Sequence, residues 1–531
     1  VFIKRFLFII ILFIPCHAFA ANWYCSNASQ GSNNGTSWTN AWALTGVVWG
    51  GAGVNPGDTL YIDGGSSGMT YTATANSMLA VGVSGTNVSQ ITIATGALSP
   101  YPSGHSGKVV FDGNALYYWL IDCVPSAQGG QTYSGYVTIN GNDGNGNQNL
   151  ELYNTLRSAD SGGNQEAAIF SKGGPHDGNK LLYVQIDSIA DGVQAQGPYT
   201  FEVGHVSVTN LIGDHNVRVT GGINSAFGNI LIHDSLFSIM ADPNQGHYGP
   251  DGIQGSTGID VYNCTFIATS GTDLGIQHPD CIQWDFDLDR AWNNYFYGGN
   301  AGVNSAMFGN FSGAGPAQIR LQVFNNIIDN FSASGIAITA GSGTTSLSIV
   351  IANNTFVDNY AANYPLGVVL GTVSSGSVVI ENNIIFNTGS HGATGHPALQ
   401  AAVVEMAYSS QESIVSFDYN DVNAGSTGST AIEWWTAGSW SGNTWNVNTP
   451  VQTAISQANG QTGAPSFISY TVGSQSNNYR LSVSDTAAKS NGANLTNLSI
   501  TPLDLDITGA QRPASGAWNI GAYQSTGYGL F

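Results

Sequence analysis

Short runs in which apolar and polar residues alternate recur along this chain. Leu347–Asn353 reads LSIVIAN and Ser377–Asn382 reads SVVIEN; GDTLYIDGG at 57–65, SQITIATG at 89–96, KVVFDG at 108–113 and GYVTINGND at 135–143 share the form. Each run ends at Gly, Asn or Asp. Period-two alternation bounded by turn residues predicts half-buried strands, and no stretch carries the period of an amphipathic helix.

The runs repeat. YNCTF, WNNYF, FNNII, ANNTF and ENNII place their leading residues at Asn263, Asn293, Asn325, Asn353 and Asn382, at intervals of 30, 32, 28 and 29. Going backwards, IHDSLF, VTNLIG and QIDSIA add Asp234, Asn210 and Asp187, at 29, 24 and 23. A period of this size, built from about three short strands, predicts a solenoid. Leucine-rich repeats lack their signature here, and a propeller blade needs more strands. The expected fold is all-β, a right-handed parallel β-helix. Its turns stack about 4.8 Å apart, so equivalent residues form ladders, and the Asn column should bond along its own stack. Residues 21–56 are expected to cap the first turn, 57–460 to form the helix, and 461–531 to close it.

The N-terminus changes the setting. Lys4 and Arg5 precede an apolar run from Phe6 to Pro15, and AFA at Ala18–Ala20 suits cleavage before Ala21. Residues 1–20 therefore read as a signal peptide and predict an exported protein, extracellular or periplasmic. Charged residues are only 8% and the net charge is −21, or −23 without Lys4 and Arg5. Such a chain suits neither nucleic acid nor an anionic membrane as partner. Polar, aromatic-rich surface suits a polysaccharide, and a monomer is expected. Cys25, Cys123, Cys264 and Cys281 would remain after cleavage; export permits disulfides, and buried thiols are the alternative.

Candidate chemistry lies in HYGPDGIQGSTG, 247–258, which returns as QHPDCIQWDFDL, 277–288. Asp251 lies 17 residues after Asp234, and Asp280 lies 17 after Asn263, so the two are expected on neighbouring turns. Asp191 and Asp214 follow their ladder residues by only four, which implies loops of about thirteen residues overhanging the next two turns. Ser305 and Ser334 continue the same point on later turns. Stacked carboxylates repel, so a column of Asp suggests an acid and base, or an oxygen cage for calcium. A structural stack is made as well with Asn, and Asp at a strand start can also serve as a turn residue. By strand parity Ile282, Trp284, Phe286 and Leu288 point inward, while Gln283, Asp285 and Asp287 face solvent beside Gln254 and Arg218. His247 and His278 fall on the overhanging loops. These seven outward and loop residues are the substrate-binding candidates.

At these residues the chain resembles family 28 glycoside hydrolases, the polygalacturonases, which are parallel β-helices. Asp251–Gly252 matches one acidic motif of that family, and Asp280–Cys281 matches the second. The first Asp of the family's pair is Pro279 here, and its Gly-His-Gly and Arg-x-Lys motifs are missing. The ends, GTSWTNAW and DLDITGAQRPASGAWNIGAYQ, resemble those of bacterial exported β-helix proteins of the pectate lyase-like superfamily. The first reading is a hydrolase with Asp280 as general acid and Asp251 as base on neighbouring turns, with Asp214 as substitute and no cofactor; the resemblance implies inversion. Two other readings stay open: a calcium-dependent polysaccharide lyase with Arg218 as base and Asp191, Asp214, Asp251 and Asp280 as ligands, and a non-catalytic glycan-binding surface or matrix protein.

Overall fold

In the computed structural model the described residues are 20–524, except 118, 124–133, 156–166, 172–177, 190, 197–199, 212–214, 221–226, 241–250, 256, 271–278, 286, 300–304, 312–315, 332–333, 360–365, 374, 388–401, 407–412, 424–431, 437–438 and 446–457. The expected signal peptide lies outside them save its last residue.

Strands of three kinds alternate along the chain and stack into three long sheets. The first sheet has 14 strands, running from the N-terminal Asn22–Ser26 and Trp42–Ala43 to Val415–Asp418. The second has 12, from Met69–Thr72 to Asp421–Asn423, and the third 13, from Leu79–Ala80 to Ser439–Trp445. Pairing in these sheets is parallel except at the end of the third, where Ile432–Thr436 meets Ser439–Trp445 antiparallel. The chain is a right-handed parallel β-helix. One turn shows the plan: Ile259–Tyr262 in the first sheet, a corner at Asn263, Thr265–Ser270 in the second, then Asp280–Trp284 in the third. No helix of the described residues is long and apolar enough to cross a membrane.

The core consists of columns. Ile169, Val193, Val217, Ile253, Ile282, Met307 and Ile336 follow one another in register on the third sheet, all buried. Opposite them Phe237, Phe266 and Phe296 stack at 5.1 and 4.7 Å. Each fully buried side chain of this kind contributes about 1.5–3 kcal/mol relative to exposure. Trp284 and Leu288 are buried as parity predicts, and Phe286 lies outside the described residues. Cys25, Cys123, Cys264 and Cys281 are free, buried thiols.

The expected column of eight corner residues divides into two corners. Tyr183, His205, Asp234, Asn263, Asn293, Asn325, Asn353 and Asn382 occupy the first-to-second-sheet corner, with φ between +50° and +60°. Asn210 belongs to the corner after the second sheet, together with Asn154, Ser188, Asn330, Asp358 and Asn387, and Asp187 is the strand residue before it. Both corners require the left-handed region, which Asn and Asp enter more readily than other side chains, so one residue type fills both.

The bonded ladder is also one residue later than expected. Asn294, Asn326, Asn354, Asn383 and Asn420 are fully buried. Each Nδ2 donates to the next Oδ1 at 3.0 Å, and each backbone N–H donates to the same oxygen. On three turns the leading Asn of the pair holds the C-terminal segment. Asn382 brackets Ala493 through its N–H and C=O, Asn353 donates to the Asn519 carbonyl, and Asn325 joins Leu505 to the buried Arg512. Residues 466–524 thus run back over the outer faces of the first two sheets, where Trp518, Leu495 and Leu503 pack on Trp292, Phe324 and Val350.

Candidate functional site

The third sheet is left free by that segment and carries the acidic column. Ala167 pairs with Asp191, His215 with Asp251, Asp280 with Ser305, and Ser305 with Ser334. Asp191 and His215 stand two residues before the Val193–Val217 pair, and Asp251 and Asp280 two before Ile253–Ile282. The column therefore reads Asp191, His215, Asp251, Asp280, Ser305, Ser334. His215 takes the place expected for Asp214, because Asp187 pairs with Thr209 and the stretch to the column is four residues on one turn and six on the next. Asp214 itself lies outside the described residues, as do His247 and His278 and the loop stretches 241–250 and 271–278. The beginnings of both expected loops are strand, Leu236–Met240 and Thr265–Ser270.

The carboxylates of the column are sequestered. Asp191 is 9% exposed, Asp251 4% and Asp280 0%. Asp191 Oδ1 accepts the His215 N–H at 2.9 Å, and Asp251 Oδ1 accepts the Asp280 N–H at 3.0 Å. Each Asp thus also serves the structural role of fixing the next turn's strand start. Alternation breaks beside them, because Cys281 and Ile282 both enter the apolar core. Gly252 stands level with Cys281, and a Cβ there would meet Ile239 at 2.7 Å, so this face of the strand start also turns inward. Asp251 and Asp280 precede those residues as the first positions of their strands, and both are buried.

His215 is the member that sequence reasoning missed. It is buried, its Nε2 lies 3.7 Å from Asp251 Oδ2, and its pKa is lowered to about 3 by burial and then by Arg218, against a smaller opposing effect of Gln254. The imidazole is neutral at ordinary pH. Its signal was HNVRV beside DGIQG: the pattern His-x-Val-x-Val aligns with Asp-x-Ile-x-Gly once register is known.

Outward, one residue past the core column, Gln194, Arg218, Gln254 and Gln283 follow on four successive turns. Arg218, Gln254 and Gln283 are partly exposed and Gln194 is buried. Both amide atoms of Gln194 and the Arg218 Nε are buried without a hydrogen-bond partner among the described residues. Gln283 Nε2 donates to Asp285 Oδ1 at 3.2 Å, and burial raises the Asp285 pKa against the lowering effects of Gln283 and Arg218. Asp287 is a correction. It is 8% exposed and sits at the corner into the first sheet, where it accepts from the Leu288 N–H and is clamped by the Arg320 guanidinium. A residue committed to a bidentate ion pair of the scaffold is not facing a ligand.

Calcium fits the column poorly. One oxygen of Asp191 and one of Asp251 already accept backbone N–H groups, and an imidazole interrupts the oxygen donors that calcium prefers.

No protein-family profile matches the chain, and no curated protein sequence matches it. Among solved structures it is similar to the pectate lyase Pel9A, at 14% identity over 96% of this chain and 97% of that one, with a TM-score of 0.42. It is similar to XylC in complex with xylose at 10% identity over 95% and 98%, TM-score 0.47. A hyperthermoactive exopolygalacturonase from Thermotoga maritima matches at 11% over 72% and 84%, TM-score 0.27. No residue of this chain takes a role from them.

Proposed function

We propose that this chain is an exported enzyme that hydrolyses a polysaccharide laid along the outward column Gln194–Arg218–Gln254–Gln283. Asp280 is the general acid and Asp251 the base that activates water. The observation that supports this reading is the column itself, where Gln194 and Arg218 bury polar atoms that meet no partner among the described residues. Each such group costs about 1–3 kcal/mol, and sugar hydroxyls, which both donate and accept, are suited to meet an amide and a guanidinium together. The two carboxyls stand on neighbouring turns, about 4.8 Å apart at the backbone. Divergence of the side chains can extend this toward the roughly 6.5–9.5 Å that an inverting hydrolase needs for its water. Asp251, fixed by the Asp280 N–H, has its orientation set before substrate arrives.

A lyase reading is favoured by one feature, the placement of Arg218 between Gln194 and Gln254, where its guanidinium could serve as base or hold a uronate. The two readings separate in one experiment. The full chain is incubated with neutral and acidic polysaccharides, and new reducing ends are measured alongside the ultraviolet absorbance of unsaturated ends. Reducing ends without that absorbance, lost in Asp280→Asn, are expected. Unsaturated ends would replace hydrolysis by elimination. Saccharide binding without cleavage would leave a glycan-binding protein.

A further inference from the structure

A second cluster of ionisable side chains lies at the first-to-second-sheet corner, away from the third-sheet column. In a chain with 8% charged residues, Lys180, Glu202, His205, His233 and Asp234 meet there on three successive turns. On the later turns the same left-handed corner is filled by Asn263, Asn293, Asn325, Asn353 and Asn382, so the backbone asks only for Asn. Tyr183, His205 and Asp234 are the departures, and the last two stand on adjacent turns at φ of 54° and 50°.

We propose that His205, His233 and Asp234 form a binding site for a divalent first-row transition ion such as zinc. A ligand atom from each lies within 4.8 Å of the other two. A tetrahedral site with bonds of about 2.0–2.1 Å brings donors to roughly 3.4 Å, so closing by about 1.4 Å at most, within reach of side-chain rotation, completes three contacts. Two imidazoles and one carboxylate suit zinc, copper, nickel or iron and not calcium or magnesium. The fourth position is left to solvent.

The surroundings point to the same ligand. His233 Nδ1 faces Asp234 Oδ2 at 2.8 Å, and Nε2 faces Glu202 Oε1 at 3.3 Å. Glu202 is itself anchored by Lys180 Nζ at 2.7 Å. A metal-ligating imidazole characteristically gives its other nitrogen to a carboxylate, which sets its tautomer and aim. Both rings are held by stacking, His205 on Tyr183 at 4.4 Å and His233 on Tyr262 at 5.0 Å. Gly204 makes the approach feasible. It pairs with His233, and a Cβ there would lie 2.5 Å from the ring's Cε1. Glu202 and Asp234 also stabilise the imidazolium and raise the His233 pKa, so protons compete with the metal at this nitrogen.

The test is zinc titration of the EDTA-treated, dialysed full chain by calorimetry near pH 7.5, with thermal unfolding beside it. His205→Asn and Asp234→Asn install the residue that neighbouring turns carry at this corner, so both should fold. One zinc per chain and a raised unfolding temperature are expected. Each variant should weaken binding by at least the ~10–100-fold that losing even an outer-sphere partner costs. No zinc binding by the wild-type chain, or binding unchanged in both variants, overturns the assignment.

Discussion

Asp421 is fully buried at the start of the last second-sheet strand, Asp421–Asn423, and neither carboxyl oxygen has a hydrogen-bond partner among the described residues. Burial, and then the charge of Asp485 on the C-terminal segment, push its pKa up to about 8. An unfolded Asp titrates near 3.9. Between those values the native chain holds a proton that the unfolded chain releases. The stabilising contribution is therefore complete in acid and is lost as pH rises toward the folded value. The slope is about 1.4 kcal/mol per pH unit, so going from about pH 5 to about pH 8 removes roughly 4 kcal/mol. Asp421→Asn keeps the shape and cannot titrate. Its stability relative to wild type should rise by about that amount over the same interval, although its extra amide donor costs about 1–3 kcal/mol at every pH. Urea unfolding at several pH values measures the difference. Hydrogen exchange at 415–423 adds a local readout, because long repeat arrays need not unfold as one unit. Parallel pH profiles for the two proteins would refute the reasoning.

Other changes probe the ladder, the closing segment and the groove. Asn354→Ala removes the acceptor of the Asn326 N–H and the donor to the Val323 carbonyl; it should cost about 2–4 kcal/mol in urea unfolding, and a change below about 1 kcal/mol would count against the ladder. Tyr479→Phe deletes the hydroxyl that donates to Asp329 at 2.6 Å. The pKa of Asp329, already pushed to about 7 by burial, should rise further, and resistance of the C-terminal segment to proteolysis should fall as the buried carboxyl keeps only the Tyr295 hydroxyl as a side-chain donor. Asp280→Asn should lower the turnover number by about 10²–10⁴-fold, the usual worth of a general acid. Gln254→Ala should act mainly on KM, and the reverse pattern would exchange the two roles.

Period, strand direction and the placement of Ser305 and Ser334 after Asp280 were legible in the sequence, because stacking turns at one spacing leaves a repeat that can be counted. So was the burial of Trp284, which follows from strand parity alone. The corner register was not. Two left-handed corners per turn favour the same residues, so Asn210 and Asp187 were assigned to the wrong corner; Asp214 was expected where His215 stands because the stretch after Thr209 is two residues longer than the one after Asp187. Asp287 was expected outward because parity was carried past the end of Asp280–Trp284 and across a corner. The cluster of Glu202, His205, His233 and Asp234 was likewise hidden, since its members are scattered over 33 positions and only the turn-to-turn pairing brings them together.

By itself, then, the sequence determined that the chain winds, because alternation and period are local properties that each turn repeats. Which side chains meet was decided only by the tertiary structure. A shift of one residue at a corner moves every following side chain to the other face, and the pairing of neighbouring turns, not the spacing along the chain, sets that shift.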